Sequence, residues 1–175
     1  MVDPHRFEGA RIEPSAFADD TGAADPALAR ALAAYDRGEG GEGGYPAVLA
    51  ALVPTRLLVP VVAVLGEVEY DENGLARDKT SEMAAVLMTG ADGRMALLAF
   101  TSTETLARWN PEARPVPVGA QEAARSAVQE HAAALVVDLA GPVTFVLEGE
   151  DLQAVAAGWT LARVGDRLGW LRPES

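Results

Sequence analysis

The chain has 175 residues, with 14 basic against 26 acidic side chains and a formal net charge of −12. This length is enough for one domain with a substantial core, and the negative charge disfavours binding to nucleic acid or to an anionic membrane, because both require clustered Lys and Arg. The absence of Cys excludes disulfides, thiolate metal sites and cysteine nucleophiles.

The sequence also predicts a compartment. The N-terminal stretch MVDPHRFEGARIEP has no apolar run typical of a signal peptide, and no apolar stretch approaches the ~20 residues that a membrane-spanning helix needs. We therefore expect a cytoplasmic protein. Ala and Arg are abundant whereas Lys79 is the only lysine, a bias that indicates a high-GC bacterial genome.

The N-terminal part is predicted to contain an arm and two helices. Residues 1–24 carry scattered charges without a periodic apolar face and are expected to form a flexible arm. Asp25 and Pro26 then predict the N-cap and the first residue of a helix. The glycine-rich residues 38–44 separate this helix from a second one over residues 45–53. The inward side of the first helix is predicted to carry Leu28, Leu32 and Tyr35.

A strand and an acidic segment follow the helices. Residues 57–65 form a β-rich apolar run that contains Pro60. Because proline cannot donate a ladder hydrogen bond, we expect this strand at a sheet edge or across a bulge. Residues 66–82 are hydrophilic and acidic and predict a loop.

The remaining chain predicts strands and helices in a single α+β domain over residues 25–175, with helices packed on a mixed or antiparallel sheet. Thr101 and Glu104 have the spacing of a capping box, so a helix is expected to begin there and to bury Leu106 and Trp109. The other predicted elements are hairpins over 84–100, 135–147 and 160–171, an extended segment over 114–118, and helices over 121–131 and 151–157. Two stretches, 84–109 and 135–157, share a strand–turn–strand–helix order, which two ββα units or a common local motif would both explain.

Carboxylates give no clear acid–base pair. The candidates Asp71, Glu72, Asp78 and Glu82 lie in one hydrophilic loop, where solvent would leave their pKa values unsuited to catalysis. Asp138 follows an apolar strand, and the interpretation that we favour is an Asx-type cap on the turn at Gly141.

No cofactor or metal is expected. His5 and His131 have no neighbouring ligand at a metal-binding spacing, and His131 is interpreted as a helix-terminal residue that complements the helix dipole. Aligning residues 69–80 with a calcium-binding loop puts Thr80 where a bidentate Glu is required.

Two short segments remain as a binding candidate. Lys79, Thr80 and Ser81 precede the first hairpin, and Arg108 and Trp109 close the helix after it. One interpretation is a small pocket for an anion or a peptide, with a cation and hydroxyls at its rim. The other is that Trp109 belongs to the core and Lys79 is a solvated loop charge.

Several stretches together resemble the N-terminal domain family of the enhanced serine sensitivity protein B (SseB), over about residues 28–157. The resemblance implies a compact α+β domain and supplies no catalytic residue. Its clearest marks are LLVPVVA (57–63), KTSEMA (79–84), TGADGR (89–94), AFTS (99–102), LARWNPEARPVPV (106–118) and DLAGPVTFVL (138–147).

Two functional hypotheses follow from these observations. The first is a non-enzymatic cytoplasmic module that binds a protein or peptide through an acidic surface, which favours a basic partner. The second is a small-molecule binder, or an enzyme of unrecognised type, with a pocket near Lys79 and Trp109. A deep polar cleft would favour the second hypothesis, and an apolar patch or an open sheet edge the first.

Overall fold

The computed structural model describes residues 17–39, 44–64, 69–70, 76–77 and 82–174. The fold is α+β, as predicted. The helices are α1 (Pro26–Asp36), α2 (Tyr45–Leu52), α3 (Thr103–Trp109), α4 (Ala120–Gln129) and α5 (Gly149–Ala156). The strands are β1 (Arg56–Val64), β2 (Glu69–Tyr70), β3 (Ala76–Arg77), β4 (Glu82–Ala85), β5 (Leu87–Thr89), β6 (Met95–Ala99), β7 (Arg114–Gly119), β8 (Ala134–Val137), β9 (Phe145–Glu148), β10 (Thr160–Val164) and β11 (Arg167–Leu171).

Two sheets form the centre of the domain. In the first, β1 pairs antiparallel with β4 on one side and with β7 on the other. The second has the order β5-β6-β8-β9, in which β6 and β8 are parallel and the other neighbours are antiparallel. Leu58 and Phe100 exchange two backbone hydrogen bonds of 2.8 Å and so join β1 directly to the end of β6.

Pro60 lies in a central strand, so the expectation of an edge strand was wrong. Val86 donates its N–H to the Pro60 carbonyl at 3.3 Å, but Pro60 has no N–H to return to the Val86 carbonyl. That carbonyl accepts the N–H of Leu98 at 3.2 Å instead. The proline therefore occupies the point at which the neighbouring chain leaves β1 and continues beside β6.

The central sheets bury apolar side chains on both faces. Side chains alternate between the faces along β6, so Leu97 and Ala99 enter one cluster while Leu98 and Phe100 enter another. Helices α1, α2, α4 and α5 contribute to the first cluster, and α3 contributes Leu106 to the second. Helices α3 and α5 therefore cover opposite faces, although both follow a strand–turn–strand pattern.

The predicted helix starts are confirmed at α1 and shifted by one residue at α3. The Asp25 side chain accepts the N–H groups of Ala27 and Leu28 at 2.9 and 3.0 Å and caps α1. At α3 the cap is Ser102, which forms a capping box with Thr105. The expected cap, Thr101, instead donates its hydroxyl to the buried carboxylate of Asp138.

The end of the predicted N-terminal arm packs against the domain. Asp20 forms an ion pair with Arg56, in which Arg56 Nη2 donates to Asp20 Oδ1 at 2.6 Å, and both side chains are largely buried. The Thr103 N–H donates to the Gly22 carbonyl at 2.8 Å. Residues 17–24 therefore contact the domain, which corrects the assignment of all of residues 1–24 to a flexible arm; residues 1–16 lie outside the described residues.

The acidic segment and the C-terminus each contain a small antiparallel pair. Within the predicted loop over 66–82, β2 pairs with β3, so the described part of this segment is not purely loop. The C-terminal pair β10–β11 has the predicted position, with Trp170 opposite Leu161. Across the described residues, no helix combines the length and apolarity that a membrane span requires.

Candidate functional site

The structure describes two of the five residues of the predicted binding site, Arg108 and Trp109. Lys79, Thr80 and Ser81 lie outside the described residues. Arg108 is exposed on α3, where its Nη2 donates to Glu104 Oε1 at 2.6 Å across one helical turn. Such an exposed pair contributes little to stability.

Trp109 has a packing role at the end of α3. Its ring lies 5.6 Å from that of Phe100, tilted by 31°, and it packs against the apolar cluster of Leu58, Leu98 and Leu106. Arg108 lines a cavity of about 240 Å³ between α1 and α3, and Trp109 is not among the residues around this cavity. The interpretation of Trp109 as a core residue is the one that these contacts favour.

Asp138 is buried, at 2% exposure, in a closed polar network. Its carboxylate accepts the N–H and the hydroxyl of Thr101, at 2.8 and 2.6 Å, and the hydroxyl of Thr105 at 2.7 Å. The turn at Gly141 is instead held by the Asp138 backbone carbonyl, which accepts the Gly141 N–H at 2.9 Å. The Asx-cap interpretation was therefore wrong: the side chain ties the end of β8 to the start of α3.

The helix predicted over 121–131 ends earlier: α4 ends at Gln129 and its C-cap is Glu130, so His131 lies just beyond the helix. It follows α4 with a φ of 57°, is exposed, and leads the chain out of the helix. Among the described residues, no group of three or more His, Asp and Glu side chains is arranged to hold a metal ion.

A wide concave surface involves two residues outside the predicted site, Trp159 and Trp170. They line a cavity of about 670 Å³ together with Ala132, Glu150, Leu152 and Gln153, and we call it the tryptophan groove. Both tryptophans are half-buried, and of the residues that line the groove only Glu150 is charged. The groove thus offers two aromatic surfaces beside one carboxylate.

Local structure fixes the first tryptophan. Gly158 lies just beyond the end of α5, has a φ of 72° and donates its N–H to the Val155 carbonyl at 3.0 Å. The N–H of Trp159 donates to the Ala154 carbonyl at 2.9 Å, which completes a glycine-based helix end. Trp159 therefore leaves the helix in a defined direction.

Asp151 fixes the second tryptophan. Its Oδ1 accepts the indole N–H of Trp170 at 2.7 Å, and its Oδ2 accepts the hydroxyl of Tyr45 at 2.9 Å. Burial, together with the hydrogen bond to Asp151, raises the pKa of the Tyr45 hydroxyl above its ordinary value. The tyrosine therefore keeps its proton and remains a donor across the physiological pH range.

The chain places one of its own cations against Trp159. The Arg172 guanidinium lies 4.8 Å from the centre of the Trp159 ring, within the range of a cation–π interaction. Arg172 itself is exposed. The ring is thus accessible to a guanidinium group.

A second cavity adjoins the tryptophan groove. It has a volume of about 410 Å³ and shares Trp159 with the groove, and we call it the aliphatic cleft. Helices α2, α4 and α5 and strands β10 and β11 all contribute to it. Its lining includes Ala50, Val53, Gln121, Val155, Leu161 and Leu168.

Sequence patterns did not assign this surface a role, because it depends on how a C-terminal hairpin packs against α5. The prediction for this region was limited to a hairpin over residues 160–171. One signal was present: two of the three tryptophans in the chain bracket that hairpin.

Comparison with protein families identifies the domain. The model of the SseB protein N-terminal domain matches residues 28–154, and the chain belongs to this family, as the resemblance indicated. The chain matches no curated protein and no solved structure. The match ends at Ala154, so Trp159 and the β10–β11 hairpin lie beyond the matched residues.

Proposed function

We propose that this protein is a non-enzymatic, cytoplasmic bacterial module that binds a protein partner, and that the tryptophan groove holds a basic side chain of that partner. The observation that carries the proposal is the pairing of Trp159 and Trp170 in one groove beside Glu150. Half-buried tryptophans at a concave surface are typical of interface anchors.

Charge supports a basic partner. The chain has a net charge of −12, which favours encounter with a cationic segment. A guanidinium or ammonium group is attracted to the face of an indole ring, and Glu150 supplies the matching negative charge. The contact between Arg172 and Trp159 is an example of this chemistry within the chain.

Strand addition at the outer edge of β7 has less support. Pro115 and Pro117 lie opposite Pro60 and Leu58, whose backbone groups bond to the other side of β1. The two proline nitrogens therefore face the outer edge of β7, where they offer no donor to an incoming strand.

The alternative, a small-molecule binder near Lys79 and Trp109, is a weaker proposal. Its support is the cavity of about 240 Å³ at Arg108, which Thr101, Ser102 and Thr105 also line. These hydroxyl groups already bond to Asp138 or to one another, so few donors are free for a ligand.

Nuclear magnetic resonance can test the proposal, because the three indole N–H groups report separately on the two regions. The probes are the capped tripeptides acetyl-Ala-Arg-Ala-amide and acetyl-Ala-Glu-Ala-amide, and the signals are assigned with single Trp→Phe variants. We expect the arginine peptide to shift the signals of Trp159 and Trp170 and to leave that of Trp109 in place.

The glutamate peptide is the matched control and should leave all three signals unchanged. Equal shifts with both peptides would contradict recognition of a basic residue. A shift confined to Trp109 would favour the alternative site.

A further inference from the structure

We infer that the aliphatic cleft is a second subsite for the same partner segment. It takes an aliphatic side chain two residues away from the basic one, and Gln121 binds the backbone between them. This inference rests on the proposed function of the tryptophan groove and specifies the partner as a segment of the form Arg/Lys-x-aliphatic.

The two cavities are neighbours on the surface, so one extended peptide can reach both. Leu152 lines the groove and Val155 lines the cleft, and three residues advance a helix by ~4.5 Å. Trp159 lines both cavities, so they lie side by side. In an extended chain, side chains two residues apart point the same way and are ~7 Å apart.

The lining of the cleft selects for apolar groups. The residues around it carry no charge, and Val53, Val155, Leu161 and Leu168 provide aliphatic surface. A charged side chain placed there would lose hydration without gaining an opposite charge. An aliphatic side chain would exchange water contact for apolar contact, which is favourable.

Gln121 is suited to bind a peptide backbone. Its carboxamide packs closely against Gly158, where an added Cβ would lie 2.5 Å from Gln121 Nε2. Gln121 is exposed, and within the described residues its carboxamide has no hydrogen-bond partner. A carboxamide offers two donors and one acceptor oxygen, the complement of a peptide C=O and N–H.

Calorimetric titration with three capped peptides tests the inference: acetyl-Arg-Ala-Leu-amide, acetyl-Arg-Leu-Ala-amide and acetyl-Arg-Ala-Ala-amide. We expect the first peptide to bind about tenfold or more tightly than the third, because its leucine reaches the cleft. The second has the same composition as the first in a different order, and we expect it to bind like the third.

The variant Ala50→Phe separates the contribution of the cleft from that of the groove. Ala50→Phe fills the cleft from an exposed position and should abolish the leucine preference without changing the affinity for acetyl-Arg-Ala-Ala-amide. Ala107→Phe makes the same change at an exposed position of α3 and is the control.

Gln121→Ala tests the backbone contact and should weaken the binding of all three peptides by about three- to tenfold. Gln129→Ala, on the exposed side of α4, is its control and should not weaken binding.

Different results would overturn the second subsite and the proposed function of the tryptophan groove. Arginine peptides that shift Trp159 and Trp170 without any leucine preference would overturn the second subsite and leave the groove in place. A leucine preference that survives Ala50→Phe would also overturn it. Absence of binding by every peptide would overturn both.

Discussion

Trp170 donates its indole N–H to Asp151 at 2.7 Å, and this hydrogen bond links the C-terminal hairpin to the first turn of α5. The same carboxylate accepts the hydroxyl of Tyr45 from α2. One side chain therefore holds three elements together beside the tryptophan groove, so the geometry of the groove depends on it.

Trp170→Phe tests this link, because it keeps an aromatic ring while removing the indole donor together with part of the ring surface. We expect the free energy of unfolding to fall by about 1.5 kcal/mol, the low end for a hydrogen bond to a charged group, since Asp151 keeps its bond to Tyr45. Urea unfolding measures the change. Trp159→Phe is the control, and an equal loss in both variants would assign the effect to ring packing.

Asp138 should tolerate Asn far better than Ala. Its φ of 55° lies in the left-handed region, which Asn adopts readily and Ala does not. Ala would also leave the buried N–H of Thr101 without an acceptor, so we expect a loss of roughly 3–4 kcal/mol, against a smaller loss for Asn. Chemical denaturation of both variants checks this, and equal losses would show that backbone strain does not contribute.

The Asp20–Arg56 ion pair should make the free energy of unfolding depend on pH in the acidic range. The hydrogen bond from Arg56 lowers the pKa of Asp20 below its ordinary value, so the folded state holds this carboxylate ionised more strongly than the unfolded state. Its stabilising effect is complete above the unfolded pKa of about 4 and decreases as pH falls through the lowered folded value.

Melting temperatures of the wild type and Asp20→Asn measure this effect. We expect a difference at pH 6 that narrows as the pH falls below about 4. Asp19→Asn is an exposed neighbouring control. A difference that stays constant down to pH 2 would show that the charge of Asp20 has no part in it.

The sequence predicted the fold well where local signals dominate. Asp25 with Pro26 located the start of α1, and the hairpin predicted over 84–100 contains the β5–β6 pair, because these positions depend on nearby residues. The edge placement of Pro60 was wrong because the Val86 carbonyl, to which Pro60 cannot donate an N–H, accepts the N–H of Leu98 on β6. Such compensation is a tertiary contact and leaves no local pattern.

The site was less accessible to prediction for the same reason. Arg108 and Trp109 are adjacent in sequence, yet one is solvent-exposed and the other stacks on Phe100. The groove instead joins α5 to residues of the C-terminal hairpin, and their contact through Asp151 has no sequence signature.

Arg172→Ala should raise the affinity of the groove for arginine peptides. In the free protein Arg172 occupies a face of Trp159, and an exposed cation–π contact contributes about 0.5–1 kcal/mol. If a partner cation competes for this ring, removing Arg172 should tighten binding by about two- to fivefold. Calorimetric titration measures it, with Arg163→Ala, an exposed position on β10, as the charge-matched control.

The opposite result for Arg172→Ala would also be informative. Weaker binding, specific to this variant, would mean that Arg172 contacts the partner itself. That would contradict recognition of a basic side chain at Trp159.

The most direct test of the central claim is selection of binding peptides from a random heptapeptide library displayed on phage, with Trp159→Ala and Trp109→Phe proteins as comparisons. The account predicts that the wild type enriches peptides with Arg or Lys. These peptides should keep their affinity for Trp109→Phe and lose most of it for Trp159→Ala. Enrichment of acidic peptides, or undiminished binding to Trp159→Ala, would contradict a groove that recognises basic segments.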